Sequence, residues 1–441
     1  MLINNSSLGS HERLTIKKST FEWIGLIFLL IFSFLNSITL LISLILLLTL
    51  LKQRQVGAIK IINLITFRTI INPGIAVGIE NWQNLKWIIL FGCSFYLLCS
   101  YFKLGKNELK RVNSIILLVI LFTIYNIIVA FVFSSLPIVA IFKLLSYVVI
   151  FIGTLIGVGY TYKKVNWLNW MLKLLSLVFL PSIIFIILPV GYLRNGVSFQ
   201  GIVNQPNMFG ILAVLFIALV LSNAQMNKNI NKLYLIVVPT LTVIMVILSK
   251  SRTALISCLI LFLLYILLLN IKNISKIIVI SFLSIGAFIL VLGSNINEFF
   301  ITYLYKGQEQ GGILNSRVGQ IESLTSNLLN NPWFGNGFAV PVLPYKSYGF
   351  SFEYIVEPGN LILSVLSYSG IFGFFIFLAY IIKIFWVNKR EFKNIAFLPI
   401  APILISMGEM VFFSSNNIGI WCYMFLAIYI FDNQMVKAGY N

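Results

Sequence analysis

The chain has 441 residues, 59% of them hydrophobic and only 10% charged, against about 25% charged in an ordinary soluble domain. Together with a mean hydropathy of +0.99, this excludes a soluble globular protein and implies a polytopic membrane protein. The formal net charge of +19 would suit a nucleic-acid binder, but no basic face is interleaved with stacking aromatics outside the apolar runs, so no nucleic-acid partner is expected.

Residues 1–20 are polar and form an expected cytoplasmic tail, and the apolar run from Phe21 to Leu51 that follows is far longer than a signal-peptide core. It reads as a retained anchor. It is also long for one untilted helix, and Asn36-Ser37 at its middle suits the tip of a short hairpin. The next segment, 57–79, carries Lys60, Arg68 and an Asn-Pro-Gly turn at 72–74, so it is expected to be a poor span or a surface helix. Apolar runs long enough for a hydrocarbon core of about 30 Å then fall at 86–102, 113–133, 137–158, 167–188, 206–222, 233–249, 253–270, 277–293, 358–384, 395–413 and 417–432. The total is about 12 or about 14 helices, depending on the N-terminal region. The expected fold is all-α: one transmembrane domain over 21–432, with a large extracytoplasmic loop at 294–357 and a cytoplasmic tail at 433–441.

Charge placement orients the spans. Lys103, Lys106, Lys110 and Arg111 are expected in one short loop, Lys163 and Lys164 in a second, and Lys383, Lys389, Arg390 and Lys393 in a third. The positive-inside rule makes these loops cytoplasmic. The interval 294–357 holds Lys306, Arg317 and Lys346 against Glu298, Glu309, Glu322, Glu353 and Glu357. Being mildly acidic, it belongs outside, as do 189–205 and the turn at 250–252. The four cysteines lie inside apolar runs without disulfide or metal spacing, and no metal or other cofactor is expected.

Three of the eight arginines, Arg194, Arg252 and Arg317, are expected on the outer side, the other five being placed at cytoplasmic or N-terminal positions. A guanidinium is a planar, permanent cation that grips phosphate oxygens at two points, which suits a diphosphate headgroup. Snorkelling to lipid headgroups is the plainer role. The stretch GIVNQPNMFG, Gly201 to Gly210, opens a span with Asn204, Gln205, Pro206 and Asn207. Pro206 suits an ordinary helix start, while the carboxamides and free N–H groups there suit sugar hydroxyls or phosphate. In the long loop, Val318, Ile321, Leu324 and Leu328 make the apolar stripe of a short helix starting near Asn315. Asn331-Pro332-Trp333-Phe334-Gly335-Asn336-Gly337 then ends it with turn residues. Glu409 is expected inside a span near its outer end, where an ionisable group is a functional candidate by default.

These motifs resemble those of the O-antigen ligase and O-antigen polymerase superfamily of bacterial envelope glycosyltransferases. The resemblance rests on Gly201 to Gly210, Ser251-Arg252-Thr253, Arg317 followed by Asn331 to Gly337, and Asn360-Leu361 with Gly370-Ile371-Phe372-Gly373, and it covers roughly residues 190–385. It implies a multi-pass enzyme of the bacterial cytoplasmic membrane with a GT-C-like architecture, working on the extracytoplasmic face. Such an enzyme takes a glycan from undecaprenyl diphosphate and joins it to an acceptor sugar by a metal-independent, inverting reaction. The diphosphate would be held by Arg194, Arg252 and Arg317, with Asn204, Asn207 and Asn360 at the substrate. A flippase and a chain-length regulator are the partner proteins that the resemblance implies, beside the lipid-linked oligosaccharide and the bilayer.

One departure matters. Ligases of this family place a histidine just before the asparagine that opens the post-loop span, whereas this chain has Gly359 there and its only histidine is His11. That favours a repeat-unit polymerase of O-antigen, capsule or exopolysaccharide over a ligase. An inverting transfer still needs a base for the acceptor hydroxyl, and Glu357 is the nearest carboxylate to the vacant position. The rival readings are a lipid-linked oligosaccharide flippase or other transporter, a ligase lacking the usual histidine, and a glycan polymerase of the shape, elongation and division family. A transporter would show two related halves with charges near the midplane; here the polar groups gather at one face.

Overall fold

The computed structural model describes residues 18–194, 196–227, 230–269, 318–340 and 359–431. Arg317, Glu357 and the expected span 277–293 lie outside them. Among the described residues the regular structure is helical, with a single isolated antiparallel bridge between Ile71 and Val203.

The N-terminal hairpin forms as expected. Helix α1 (Lys18–Phe32) and α2 (Ser37–Leu47) are joined at Asn36, whose side chain accepts from Thr39 N while Thr39 Oγ1 accepts from Asn36 N, a reciprocal cap that fixes where α2 begins.

Of the two expectations for the segment after it, a poor span or a surface helix, the second is overturned. Residues Gln55–Thr69 form α3, and all but its second and last residues are buried. Most of its polar side-chain groups find partners inside the bundle, which is why they can be there, although Asn63 Oδ1 has none. Lys60 pairs with Glu22 of α1 and donates to Gln53, Asn63 Nδ2 donates to Ile59 O and Thr66 Oγ1 to Ile62 O. Arg68 donates to Ser33 Oγ, Ser33 O and Val77 O. Arg68 therefore sits at the end of the bundle that holds the 33–37 turn.

The remaining α-helices longer than one turn are α4 (Gln83–Leu98), α5 (Lys106–Phe133), α6 (Pro137–Thr161), α7 (Trp167–Ile184), α8 (Pro206–Met226), α9 (Lys232–Ser249) and α10 (Arg252–Leu268). They are followed by α11 (Val318–Asn330), α12 (Leu361–Val387), α13 (Phe397–Ser406) and α14 (Gly419–Phe431). Six of the described helical segments are long and apolar enough to cross a membrane, and six shorter ones are apolar. Two helices act as hubs: α6 packs on α3, α4, α5 and α14, and α8 on α7, α9, α10 and α13. On α6, Gly153 and Gly157 let the helix close on α4, for a Cβ at Gly153 would stand 2.8 Å from Ser94 O. Small residues four apart are the usual means of such approach in a bilayer.

Three further boundaries differ from expectation. The basic cluster placed in a loop at 103–112 lies largely on the first turns of α5, because the loop is only Leu104-Gly105; there Arg111 Nη1 caps Ile430 O and Lys163 pairs with Glu108. That carboxylate holds the Lys163 ammonium above its ordinary value. The expected span 395–413 ends at Ser406, so Glu409 lies beyond the helix, in an irregular segment at 407–418. The expected span 358–384 is a helix broken at Gly370 (φ 60, ψ −169).

Candidate functional site

One end of the bundle collects the irregular chain. Residues 70–72 and 202–204 pair through the Ile71–Val203 bridge, with Asn72 N donating to Ile202 O and Asn204 N to Ile70 O. The Asn72 carboxamide donates to Val190 O and Gly201 O. Gly201 is required here, because φ is +57 and a Cβ would stand 2.4 Å from Ser182 Oγ. This brace fixes the 189–205 segment. With the Gln205 carboxamide oriented oxygen-inward, Arg194 Nη1 and Nη2 lie 2.5 and 3.0 Å from it, and Arg194 N donates to Gln200 Oε1 at 3.1 Å. The guanidinium is thus aimed by its own segment while the side chain stays exposed.

Pro206 takes the first position of α8, as expected. One residue on, Asn207 Nδ2 donates to Glu409 Oε1 at 3.0 Å, tying α8 to the 407–418 segment. Helix α9 ends on Lys250 in the left-handed region (φ 55), and α10 begins at Arg252. Gly210 packs against Ser251 and Ala254, and Gly408 against Thr253, each glycine so close that a Cβ would overlap its neighbour. Arg252 and Glu409 are therefore the immediate chain neighbours of one tight contact, Thr253 on Gly408. Asn204 Oδ1 is buried in this region with no hydrogen-bond partner, an acceptor left over for a ligand or water.

Helix α11 and its turn form as expected. Leu324 of the apolar stripe is buried, and α11 lies on α12. The turn, however, has a task that the sequence did not announce: it fills the break in α12. Asn336 N donates to Ser367 O, Gly337 N to Tyr368 O, Ile371 N to Pro332 O and Phe372 N to Trp333 O. A helix broken at membrane depth needs its freed backbone groups satisfied by protein, and here one strand of turn supplies partners on both sides of the break. Tyr125 Oη donates to Ser369 O and Ser369 Oγ to Asn126 Oδ1, tying the break to α5. Asn360 caps α12, its Oδ1 accepting from Leu363 N, so one face of its carboxamide is engaged.

Sequence reasoning missed Lys143. It lies on α6 and donates to Ala339 O at 3.0 Å, beside a cavity of about 170 Å³ that the 338–339 and 413–416 segments share with α4 and α6. A lysine inside the apolar run 137–158 was the available signal.

Arg194, Asn207, Glu409 and Arg252 thus belong to one end of an all-α, multi-pass membrane protein, held there by irregular segments that brace one another. Residues 235–378 match the family model described as O-antigen ligase. The chain therefore resembles, over that stretch, the superfamily to which its motifs pointed, and the match points to O-antigen ligase or polymerase-type function. It takes in Arg252, Arg317, the turn at 331–337, Gly359-Asn360 and the Gly370 break, and leaves Arg194, Asn207 and Glu409 outside. No curated protein matches the chain.

Proposed function

We propose that the chain polymerises lipid-linked oligosaccharide repeat units on the outer face of a bacterial cytoplasmic membrane. The observation that carries this reading is the O-antigen ligase match over 235–378, in a chain whose post-loop span opens with Gly359-Asn360, without the ligase histidine. In the proposed reaction an acceptor hydroxyl attacks the anomeric carbon of the donor sugar, and its proton passes to Glu357. The bond from that carbon to the diphosphate oxygen breaks with inversion, and undecaprenyl diphosphate leaves with the electron pair. Arg194, Arg252 and Arg317 hold the departing diphosphate, whose developing charge is where fixed cations contribute most. No step calls for a metal. Asn204, with its unpartnered carbonyl, and Asn207 and Asn360 would meet sugar hydroxyls.

The test is purified chain in nanodiscs supplied with lipid-linked repeat units from its own host. A ladder of products longer by whole repeats is expected, and it should be lost in Arg194→Lys and Arg252→Lys because an ammonium lacks the two-point fork. A single transfer onto a different acceptor would make the chain a ligase. Movement of the intact lipid across proteoliposomes without a new glycosidic bond would make it a flippase. In the cell, the flippase that delivers the repeat and a chain-length regulator are the proposed partners.

A further inference from the structure

The residues assigned to the reaction above leave the cavity beside Lys143 without a role, and its lining mixes aromatic with polar residues. Trp87, Phe142 and Phe413 are the aromatic residues that line it, alongside Phe338, and Ser414, Ser415 and Asn416 are three consecutive polar residues on another part of its wall. Those three come from the irregular segment that ends α13 early, so the early end of that helix is what brings hydroxyls and a carboxamide against the rings. Its volume of about 170 Å³ equals the liquid volume of about five or six waters, the scale of one sugar ring.

The wall formed by 338–339 is held under strain. Phe338 is buried against Phe413 with ring centroids 5.0 Å apart. The next residue, Ala339, sits at φ 52, and its carbonyl oxygen accepts from Lys143 Nζ. The left-handed conformation is unfavourable for an L-residue, and such outliers persist only where the surroundings impose them, clustering at active sites, ligand clamps and switch regions. Here the imposing elements are a buried aromatic stack on one side of Ala339 and a lysine on the other.

A pyranose has an apolar C–H face and a rim of hydroxyls, so it fits a pocket with aromatic faces on one part and neutral donors and acceptors on another. A diphosphate would need several cations, and the lining offers only Lys143, which already serves Ala339 O. We infer that this cavity seats one pyranose ring of the acceptor glycan, and that it selects which sugar is extended. The inference rests on the polymerase reading for the reaction it serves. Of the residues named, only Phe338 and Ala339 fall within the stretch that matches the O-antigen ligase family, so most of the wall is set by other parts of the chain.

The experiment uses the full chain in nanodiscs and, as probe, the repeat-unit oligosaccharide released by mild acid from the host's lipid-linked intermediates. Binding is read by saturation-transfer NMR and elongation by product ladders. Asn416→Ala, at a half-buried loop position, should weaken binding about five- to ten-fold, the loss of one or two hydrogen bonds, and raise the KM for elongation with kcat nearly kept. Ser415→Trp should fill the cavity and abolish binding of the probe while the protein stays monodisperse. Wild-type binding and wild-type KM in both variants would overturn the pocket and leave the polymerase reading standing. An equal loss of binding to sugar-free undecaprenyl diphosphate would make the cavity a lipid groove and also overturn it. Should the wild-type chain bind the probe, lose it in both variants and yet elongate nothing, the pocket stands and the polymerase reading falls.

Discussion

Replacing Gly370 with alanine probes the joint between the 331–337 turn and the broken α12. Gly370 lies at φ 60, ψ −169, a region essentially restricted to glycine, and holding another residue there costs about 1–3 kcal/mol. The added Cβ would stand 2.3 Å from both the carbonyl carbon and the oxygen of Trp333, and since those are backbone atoms the turn itself must retreat. Four backbone hydrogen bonds cross this joint, each contributing about 0.5–1.5 kcal/mol net. Losing two of them brings the total to about 2–6 kcal/mol. Thermal unfolding in detergent, followed by intrinsic fluorescence, should therefore show Gly370→Ala melting several degrees below wild type. Gly25→Ala and Gly92→Ala are the controls: both sit in helices with nothing within 4 Å of the new methyl, and each should be neutral or stabilising by up to about 1 kcal/mol. Gly335→Ala meets Tyr368 and Ser369 backbone atoms at 2.5 Å, so combining it with Gly370→Ala should cost less than the sum, because both open the same joint. A Gly370→Ala protein that melts with the Gly92→Ala control would refute the interlock.

Arg68→Ala should cost about 2–4 kcal/mol by leaving Ser33 O and Val77 O without their donor, with Arg68→Lys intermediate; a melting curve matching wild type would say these carbonyls find other partners. For the Asn207–Glu409 contact, a double-mutant cycle with Asn207→Ala and Glu409→Gln should give a coupling of about 1 kcal/mol, reduced from the value for a charged hydrogen bond because Glu409 is only half-buried. Additive effects would place the two side chains apart. Glu357→Gln should keep binding of the carrier lipid and lower transfer by about 10²–10⁴-fold, the usual contribution of general-base catalysis. Transfer at the wild-type rate would remove Glu357 from the reaction, and a collapse confined to Glu409→Gln would move the base to the 407–418 segment.

Much of the membrane architecture was legible because its signals are local. Asn36 interrupts an apolar run and caps α2; Pro206 opens α8; the stripe on 318–330 and the turn after it appear where the residues put them. What stayed hidden depends on partners far away in sequence. Lys60 and Arg68 look like surface residues until Glu22, Ser33 and Val77 are brought beside them, so hydropathy alone left a buried early helix undecided between a poor span and a surface helix. The break at Gly370 is invisible within an apolar run, since only the distant 331–337 backbone makes a non-helical residue affordable there. Of the candidate site, Arg194 and Arg252 were recognisable by residue type and by their places in short polar segments, whereas the pairing of Asn207 with Glu409 required knowing that α13 stops at Ser406. Lys143 was overlooked for a simpler reason: the charge reading weighed loops and passed over a cation within a span.

The burial of α3 also bears on how the chain is made. A helix carrying Lys60, Asn63, Thr66 and Arg68 partitions poorly into lipid on its own, a basic residue at a span centre opposing insertion by about 2.5–3.5 kcal/mol and one at a span end, as Arg68 is, by less. Its ion-pair partner Glu22 and its carbonyl acceptor at Ser33 are translated earlier, on α1 and the turn after it, whereas Val77 emerges only afterwards. During biogenesis α3 thus has a waiting dock for Lys60 and an incomplete one for Arg68, which makes the α1–α2 hairpin an internal insertion aid for the helix that follows it.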